Sequence, residues 1–494
     1  MATSALAAVL LGAGTGVAGA AVDSTLGYDA VSDKGSLYNV AEVVGAHAAY
    51  KAGYTGKGVG VALIDTGVAP VQGLTSGNVV NGPDLSFDSQ DPSTSYTDGF
   101  GHGTHLASII AGRDVAGTPT SYLDATKYNG IAPDSTLVNV KVGSSNGSVD
   151  VTQVIAAVDW VVQRAADYKI KVINLSYGTD SLQDSSVDPL AYAVQNAWKR
   201  GITVVVAGGN DGDSTKNLAN PASDPHVLAV GAADDAGTVT TADDTVPSWS
   251  THGTDERSVD VVAPGVSLLG LRVPGGLADS EHPTARVGDR FARASGTSMA
   301  AAVVSGEAAL LYQAKPDLTP DQVKQILTGS ATGLNNVSSL MAGAGTTDLR
   351  RALGTVPRAI TNTTPWGTGT GSLEASRGSF HVAVGDEVTG VVTLDGEIDV
   401  FGQAWNGPAW AKASAGRAAW KDGTWRGQTL TGKNWVDAGG GRKKWPTIAW
   451  AQTSGTAIVS GDWTARMWRD GTWSARMWRD DAWSARMWRD QAWG

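Results

Sequence analysis

Cysteine is absent from the 494 residues of this chain, which excludes disulfide bonds, thiol catalysis and cysteine-ligated metals. Long apolar runs are absent too: no stretch reaches about 18 consecutive apolar residues, so no transmembrane helix is expected. Basic residues are not in surplus either, since 48 Asp and Glu outnumber 37 Lys and Arg and the net charge is -11. Nucleic-acid binders usually carry a basic surface, so no nucleic-acid partner is expected.

The first 21 residues are small and apolar, and Ala18-Gly19-Ala20 matches the A-x-A pattern of a signal-peptide cleavage site. The basic segment that opens most signal peptides is missing. Two interpretations stay open for residues 1–21, a truncated signal peptide and a disordered tail. We favour the signal peptide, and with it a secreted or cell-surface-associated protein. Residues 22–37 have the composition of a linker.

From residue 38 to residue 355, short apolar runs alternate with amphipathic runs. Strands that are apolar throughout and separated by helices predict an α/β fold, with a mainly parallel sheet between two helical layers. The predicted strands are residues 59–64, 172–175, 202–207 and 227–230. The predicted helices are residues 150–164, capped by Asp150, and a helix that Asp188-Pro189 opens and that ends before Gly201. Ligands of such sheets bind at the carboxyl ends of the strands.

Four short segments each combine glycine with one reactive side chain, at the end of an apolar run or at the start of a helical run. They are residues 62–68 with Asp65, 101–107 with His102, 206–212 with Asn210 and 295–301 with Ser298. Serine is a weak nucleophile that needs a base, and histidine supplies one near neutral pH. A buried aspartate fixes the tautomer of the histidine, and an amide donor stabilises an oxyanion. The set is complete for acyl transfer.

The strings IDTGV, GHGTH, AGGN and GTSMA, in this order, resemble the subtilase family of serine proteases over about residues 38–355. The resemblance implies a subtilisin-like fold and hydrolysis of peptide bonds through an acyl-enzyme. Asp65 would orient His102, the general base, and Ser298 would be the nucleophile. Asn210 and the backbone N–H of Ser298 would form the oxyanion hole. No cofactor is expected for catalysis; structural calcium is common in the family, but no loop here matches well enough to name ligands.

Two further segments resemble the substrate cleft of that family. Ser176-Tyr177-Gly178, in the run VINLSYG, resembles the strand that pairs with the backbone of an extended peptide. Ala207-Gly208-Gly209 would form one wall of S1, the pocket for the side chain that precedes the cleaved bond. Because this wall has neither bulk nor an acid, it favours a large side chain over a basic one.

The chain departs from the family pattern in two places. Ala302 occupies a position where proline is usual, a change that a helix tolerates. No folding pro-segment is readable ahead of the predicted peptidase domain.

Other polar residues have plainer interpretations. We expect His105 to be structural and His252 to be a loop residue. Ser298 alone would also suit a helix N-cap, but that role leaves the other three motifs unexplained. Six loop aspartates are candidates for a cation site, although solvated loop acids are the favoured interpretation. They are Asp211, Asp213, Asp234, Asp235, Asp243 and Asp244.

The C-terminal third has a different composition. Residues 356–400 are rich in Thr, Gly and Ser and predict a linker or a small β region, and residues 401–494 hold 14 of the 18 tryptophans. Residues 464–493 are three copies of a ten-residue repeat. Trp spacings in multiples of five fit neither one helix face nor one strand face, so we predict a β-rich meander with Arg lying over Trp rings. The favoured role is self-packing for stability or spacing, and the alternative is contact with glycan, a cell wall or a particle.

The leading functional hypothesis is therefore a secreted serine endopeptidase with broad choice of polypeptide substrates. Two alternatives stay open at this point. One is a catalytically idle cell-surface binding protein that uses the subtilase fold as a scaffold. The other is an intracellular regulatory protease, if the N terminus is not exported.

Overall fold

The computed structural model describes residues 26–215, 217–360, 363–379, 381–386 and 390–429. The predicted signal peptide at 1–21 and the ten-residue repeats at 464–493 lie outside the described residues. Within the described ranges, no helix is both long enough and apolar enough to cross a bilayer.

Twelve α-helices and fourteen strands are present in the part of the chain that the structure describes. The strands are β1 (Gly60–Asp65), β2 (Val79–Asp84), β3 (Thr136–Lys141), β4 (Ile170–Leu175), β5 (Thr203–Ala207), β6 (Leu228–Ala233), β7 (Val261–Pro264), β8 (Leu268–Leu271), β9 (Arg286–Val287), β10 (Phe291–Ala294), β11 (Ala383–Asp386), β12 (Gly390–Thr393), β13 (Trp420–Lys421) and β14 (Thr424–Trp425). The helices are α1 (Leu37–Val43), α2 (Ala46–Lys51), α3 (His102–Ala111), α4 (Val151–Tyr168), α5 (Pro189–Lys199), α6 (Leu277–Glu281), α7 (Thr297–Ala314), α8 (Pro320–Ser330), α9 (Ser339–Ala342), α10 (Leu349–Gly354), α11 (Leu373–Arg377) and α12 (Gly407–Ala415).

Seven parallel strands form the central sheet, in the order β2-β3-β1-β4-β5-β6-β7. Strands β1, β5 and β6 are buried along their whole length, which is why their sequences are apolar throughout. The four predicted strands correspond to β1, β4, β5 and β6, and the mainly parallel sheet is confirmed. Since β3 and β4 flank β1 on opposite sides, the chain reverses its direction of growth there and leaves a crevice at the carboxyl end of β1.

Helices cover both faces of this sheet. On one face α4 and α5 pack, and on the other α3 and α7 pack. Both predicted helices are confirmed, with the caps that the sequence indicated. The Asp150 carboxylate accepts from the N–H of Thr152 at 2.9 Å, and the Asp188 carboxylate accepts from the N–H of Ala191 at 2.9 Å. Helix α7 is buried on nearly every side, so its sequence has no polar stripe.

Residues 26–36, the described residues ahead of α1, form no helix or strand, but they pack against the core. Leu26 and Ala30 are buried in the same apolar cluster as α3 and α7. Asp33 pairs with Arg293 on β10, which fastens this segment to a three-stranded antiparallel sheet, β8-β10-β9.

The described tryptophans beyond residue 400 pack onto the peptidase-like core. Trp405, Trp410, Trp420 and Trp425 are all buried in the cluster that contains α4 and α5. The alternative interpretation, an exposed aromatic surface, is therefore wrong for these four residues. The described part of this region also contains a helix, α12, which the expectation of a β-rich region did not include. The other ten C-terminal tryptophans lie outside the described residues.

Candidate active site

Asp65 and His102 form a buried ion-pair-like contact at the carboxyl end of β1. Asp65 is the last residue of that strand and His102 is the first residue of α3. The His102 Nδ1 atom lies 2.9 Å and 3.0 Å from the two carboxylate oxygens of Asp65. An ionised carboxylate only accepts, so Nδ1–H is the donor, and Nε2 is the basic nitrogen of the neutral ring.

The residues next to Asp65 hold its carboxylate in place. The backbone N–H and the hydroxyl of Thr66 donate to one carboxylate oxygen at 2.8 Å and 3.2 Å. The N–H of Gly103 donates to the Thr66 hydroxyl at 2.9 Å. A Cβ atom at Gly103 would lie 2.2 Å from the carbonyl oxygen of Gly67, so only glycine permits this approach of α3 to β1. The glycine after the histidine is therefore a steric requirement.

Asp98 positions the start of α3, a role that the sequence reasoning missed. Its carboxylate accepts from the N–H groups of Phe100 at 3.0 Å, Gly101 at 2.7 Å and Thr104 at 2.8 Å. It thereby satisfies helix-start donors that have no partner within the helix. An aspartate a few residues ahead of a glycine-framed histidine is the signal that would have found it.

Asn210 is locked to the residue that precedes Ser298. The N–H and the hydroxyl of Thr297 donate to the Asn210 side-chain oxygen at 2.8 Å and 2.9 Å. Because the side-chain oxygen of Asn210 accepts these two hydrogen bonds, the NH₂ group is the part of the amide that can donate. Asn210 follows β5 and Thr297 opens α7, so this contact ties two distant segments together. The sequence reasoning named Asn210 but missed Thr297.

Ser298 is the second residue of α7, and Gly296 is the N-cap of that helix. The helix-cap interpretation of Ser298 is therefore wrong. Ser298 and Asn210 are 2 % and 3 % exposed, respectively. The backbone N–H of Ser298 is in the first turn of α7, where the helix dipole favours negative charge. The starts of α3 and α7 face one pocket, since His102 and Met299, the residue after Ser298, both line it.

The two predicted cleft segments extend β4 and β5 beyond their carboxyl ends. The Ser176 hydroxyl lies 3.5 Å from the carbonyl oxygen of Ser298, so residues 176–178 reach the start of α7. Ala219 lies between the segments, because its N–H donates to the Gly208 carbonyl at 3.1 Å and its Cβ atom would meet a Cβ on Gly178 at 2.6 Å. Residues 207–209 thus border the same space. The Tyr177 side chain belongs to the α4–α5 core, and burial raises its pKa well above the ordinary value.

His105 and His252 make none of the contacts described above. His105 is buried, and its desolvation, followed by the charge of nearby His102, lowers its pKa to about 3. It therefore stays neutral at physiological pH. His252 lies in a loop, where its Nε2 atom is 2.9 Å from the exposed carboxylate of Asp213.

Three of the six loop aspartates are not solvated, contrary to the favoured expectation. Asp211, Asp235 and Asp244 are 3 %, 6 % and 3 % exposed. Burial raises the pKa of Asp235 to about 7 and that of Asp244 to about 6, with neighbouring aspartates adding to the effect. Sequence could not show this, because these loops are covered by segments distant in the chain; the Asp244 carboxylate, for example, accepts from Thr346 at 3.2 Å.

A family model described as "Subtilase family" matches residues 56–347, more than half of the chain. The chain belongs to the subtilase family. All four motif residues, Asp65, His102, Asn210 and Ser298, fall inside the matched range. The contacts described above are thus contacts of the subtilase domain, whereas α11, α12 and the C-terminal tryptophans follow it.

Curated relatives support the same assignment. Serine protease AprX of Bacillus subtilis (strain 168) is 38% identical over 299 residues, which cover 59% of this chain and 65% of that protein. M-protease of Shouchella clausii (strain KSM-K16) is 34% identical, with 61% and 66% covered. The chain thus spans just under two thirds of the length of these two relatives. Subtilisin DY of Bacillus licheniformis is 34% identical, with 58% and 87% covered.

Among solved structures, a cold adapted subtilisin-like serine proteinase is similar to this chain. It is 31% identical and has a TM-score of 0.44, with 60% of this chain and 88% of that chain covered. The family assignment rests on the family model and the curated relatives.

Proposed function

We propose that this chain is a serine endopeptidase that hydrolyses peptide bonds in polypeptides through an acyl-enzyme intermediate. The observation that carries the proposal is the buried Asp65–His102 pair, with Nδ1 of the imidazole on both carboxylate oxygens. Asn210, locked to the residue before Ser298, supports the same proposal. These are the parts that acyl transfer to a serine requires, and the chemical step needs no cofactor.

In the proposed first half-reaction, Nε2 of His102 takes the hydroxyl proton of Ser298 while Oγ attacks the carbonyl carbon of the substrate. The resulting oxyanion accepts hydrogen bonds from the Asn210 NH₂ group and the Ser298 N–H. His102 then gives its proton to the leaving amine, and the C–N bond breaks. Asp65 stabilises the imidazolium form in between. In the second half-reaction a water molecule is the nucleophile: His102 accepts its proton, the bond between the acyl group and Ser298 breaks, and His102 returns the proton to Oγ of Ser298 as the acid leaves.

The proposed substrate is an extended peptide that pairs its backbone with residues 176–178. Residues 207–209 would form one wall of S1, where small residues leave room for a large side chain. Since main-chain pairing does not depend on side-chain identity, we expect broad cleavage specificity.

For structural calcium, the described residues do not fit well enough to assign ligands. Among the residues that the structure describes, three carboxylates do not gather within the reach of one ion; the one three-membered group found contains a histidine. Calcium prefers six to eight oxygen ligands. We therefore name no calcium ligand.

Action outside the cell is part of the proposal and is supported by the signal-like residues 1–21. N-terminal sequencing of exported material tests it, and a start near Ala21 is expected. If the mature protein keeps Met1 and stays inside the cell, the intracellular alternative is correct. The idle-scaffold alternative has no support, because the curated relatives named above carry protease names. For the described tryptophans, burial removes the basis for glycan contact.

Serine-directed labelling tests the catalytic assignment directly. The full chain should react with a fluorophosphonate probe at Ser298, and Ser298→Ala should block labelling. That substitution should also lower kcat on a denatured protein substrate about a million-fold while the thermal unfolding midpoint stays the same. Equal cleavage by the variant and the parent chain would show that the triad is assigned wrongly.

A further inference from the structure

Three side chains that commonly ligate metals meet beyond the subtilase domain. They are Glu374 on α11, His381 just before β11 and Asp395 just after β12. One ligand atom from each lies within 4.8 Å of the other two. In the described ranges of the chain, this is the one group of three such residues with this spacing.

The register of the β11–β12 hairpin explains why two of them meet. Ala383 is opposite Thr393, and the N–H of Leu394 donates to the carbonyl of Val382 at 2.9 Å. One step further along this antiparallel ladder, His381 is opposite Asp395, at the base of the hairpin. The Nε2 atom of His381 lies 3.8 Å from Oδ1 of Asp395.

The third member, Glu374, comes from a separate element. Its Oε1 atom lies 2.7 Å from Nε2 of His381. Its other oxygen, Oε2, accepts from the N–H of Gly396 at 2.8 Å and from a guanidinium nitrogen of Arg377 at 3.1 Å. These donors orient the carboxylate so that Oε1 is presented to the histidine. Outer hydrogen bonds of this kind position the ligands of metal sites.

Charge also favours a cation at this place. Glu374 and Asp395 contribute two negative charges. The adjacent cation Arg377 is itself paired with Asp150 at 2.7 Å, and both of these side chains are buried. The group as a whole therefore keeps negative charge that a divalent ion would neutralise.

We propose that Glu374, His381 and Asp395 bind a zinc ion that fastens the hairpin to α11. One imidazole nitrogen and two carboxylate oxygens suit zinc, whereas calcium prefers oxygen ligands alone. The ion takes the place of the proton in the Glu374–His381 hydrogen bond, so Nε2 of His381 and Oε1 of Glu374 both become ligands; the neutral imidazole then carries its single proton on Nδ1, and an imidazolium releases its second proton to water. The side chains of His381, Glu374 and Asp395 are 18%, 36% and 61% exposed, so ions can enter and water can complete the shell.

Calorimetric titration of the chelator-treated full chain with zinc chloride alone tests the proposal. The titrations use a Ser298→Ala background, so that self-digestion does not interfere. One ion should bind per chain, and the thermal unfolding midpoint should rise. His381→Ala should weaken binding by at least about a hundredfold, and Asp395→Asn by about tenfold, because each removes a ligand or its charge. Asp395 is exposed, so that variant leaves the fold intact.

His252→Ala is the matched control, since His252 is also a half-buried histidine bonded to a single acid, Asp213. It should bind zinc as tightly as the parent chain. The proposal is overturned if the parent chain takes up no zinc, or if His381→Ala and Asp395→Asn both bind it as the parent does. Loss of binding in His252→Ala would move the site elsewhere and would equally overturn it.

Discussion

One buried aspartate lies in the candidate active site and another lies where the C-terminal segment packs on α4, and the two differ in the groups that donate to them. Asp65 receives hydrogen bonds from Thr66 and from the imidazole of His102. Asp159, in the middle of α4, receives them from the indole N–H groups of Trp410 and Trp425, both at 2.9 Å, and from the Ser414 hydroxyl at 2.5 Å. An imidazole can exchange its proton near neutral pH, whereas an indole or an aliphatic hydroxyl cannot.

Buried carboxylates can therefore serve two purposes in this chain. Asp65 can support proton transfer, because the imidazole that donates to it titrates near neutral pH. Asp159 holds the C-terminal segment in place, because the groups that donate to it do not titrate there. Burial raises the pKa of Asp159, and the hydrogen bonds from Ser414, Trp425 and Trp410 oppose that rise. Substitutions in the cleft should therefore lower the catalytic rate and leave the free energy of unfolding unchanged. Substitutions where the C-terminal segment packs on α4 should lower the free energy of unfolding and leave the rate unchanged.

Asp65→Asn gives the largest effect on this comparison. The asparagine would favour the wrong tautomer of His102, so kcat should fall about ten-thousand-fold. The thermal midpoint should stay close to that of the parent chain. Steady-state kinetics on a peptide substrate measures the first quantity, and calorimetry measures the second. Asp91→Asn, at an exposed aspartate, should change neither. A stability loss as large as the rate loss would break the separation.

Arg377→Met should produce the reverse pattern. The substitution leaves the carboxylate of Asp150 buried without its cation, which typically costs about 3–5 kcal/mol of unfolding free energy. Activity well below the unfolding temperature should be unchanged. Arg164→Met removes an exposed ion pair with Asp167 and should cost no more than about 1 kcal/mol. Denaturant titrations of both variants check the contrast. Similar losses in the two variants would mean that the buried pair does not hold the C-terminal segment.

Asn210→Ala tests whether Asn210 donates to the oxyanion in the cleft. Removal of one oxyanion donor typically lowers kcat about a hundred- to a thousand-fold, and KM should change little because the donor acts mainly in the transition state. The control is Asn217→Ala, at an exposed asparagine of the same loop, which should be neutral. If KM rises while kcat is kept, Asn210 contributes to substrate binding and not to the oxyanion hole.

Asp159→Ala tests whether the hydrogen bonds to this carboxylate hold the C-terminal segment on α4. It leaves two indole N–H groups and a hydroxyl without their acceptor, so the free energy of unfolding should fall by about 2–3 kcal/mol, with kcat unchanged at low temperature. Asp159→Asn keeps one acceptor oxygen and should cost only about 1 kcal/mol. Denaturant unfolding followed by tryptophan fluorescence measures both. Equal losses in the two variants would contradict a role for the hydrogen bonds.

Glu307 on α7 lies outside both regions, and its effect shows only as a dependence of stability on pH. Burial raises its pKa from 4.5 to about 8, so between these values the folded state binds more protons than the unfolded state. The stability contributed by this group is therefore lost as pH rises through that window, at up to about 1.4 kcal/mol per pH unit. Glu307→Gln should flatten this slope. Unfolding free energies at pH 5, 6, 7 and 8 test it, and parallel curves would contradict the expectation.

The motif residues and the main strands could be predicted because their signals are local. Gly103 has to be glycine where α3 passes β1, and this requirement is written next to His102 in the sequence. Asp150 and Asp188 predicted where their helices begin for the same reason, since a cap lies within three residues of the N–H groups that it satisfies. The order of the four motifs then identified the family.

Residues that act across long sequence separations could not be predicted in this way. Thr297 holds Asn210 across 87 positions, and Trp425 donates to Asp159 across 266 positions. The sequence showed a run of tryptophans, and an exposed aromatic surface was one interpretation of it. The structure places four of these residues in the core instead, because α4 offers an apolar face and a carboxylate acceptor that only the fold brings to them.

By itself, then, the sequence determined the candidate site residues, four strands of the central sheet and two of the helices that cover it, because glycine spacing, caps and apolar runs act over a few residues. The tertiary structure alone decided which loops meet, which loop acids are buried and what covers α4. Burial and long-range hydrogen bonds depend on partners that the chain brings together only when it folds.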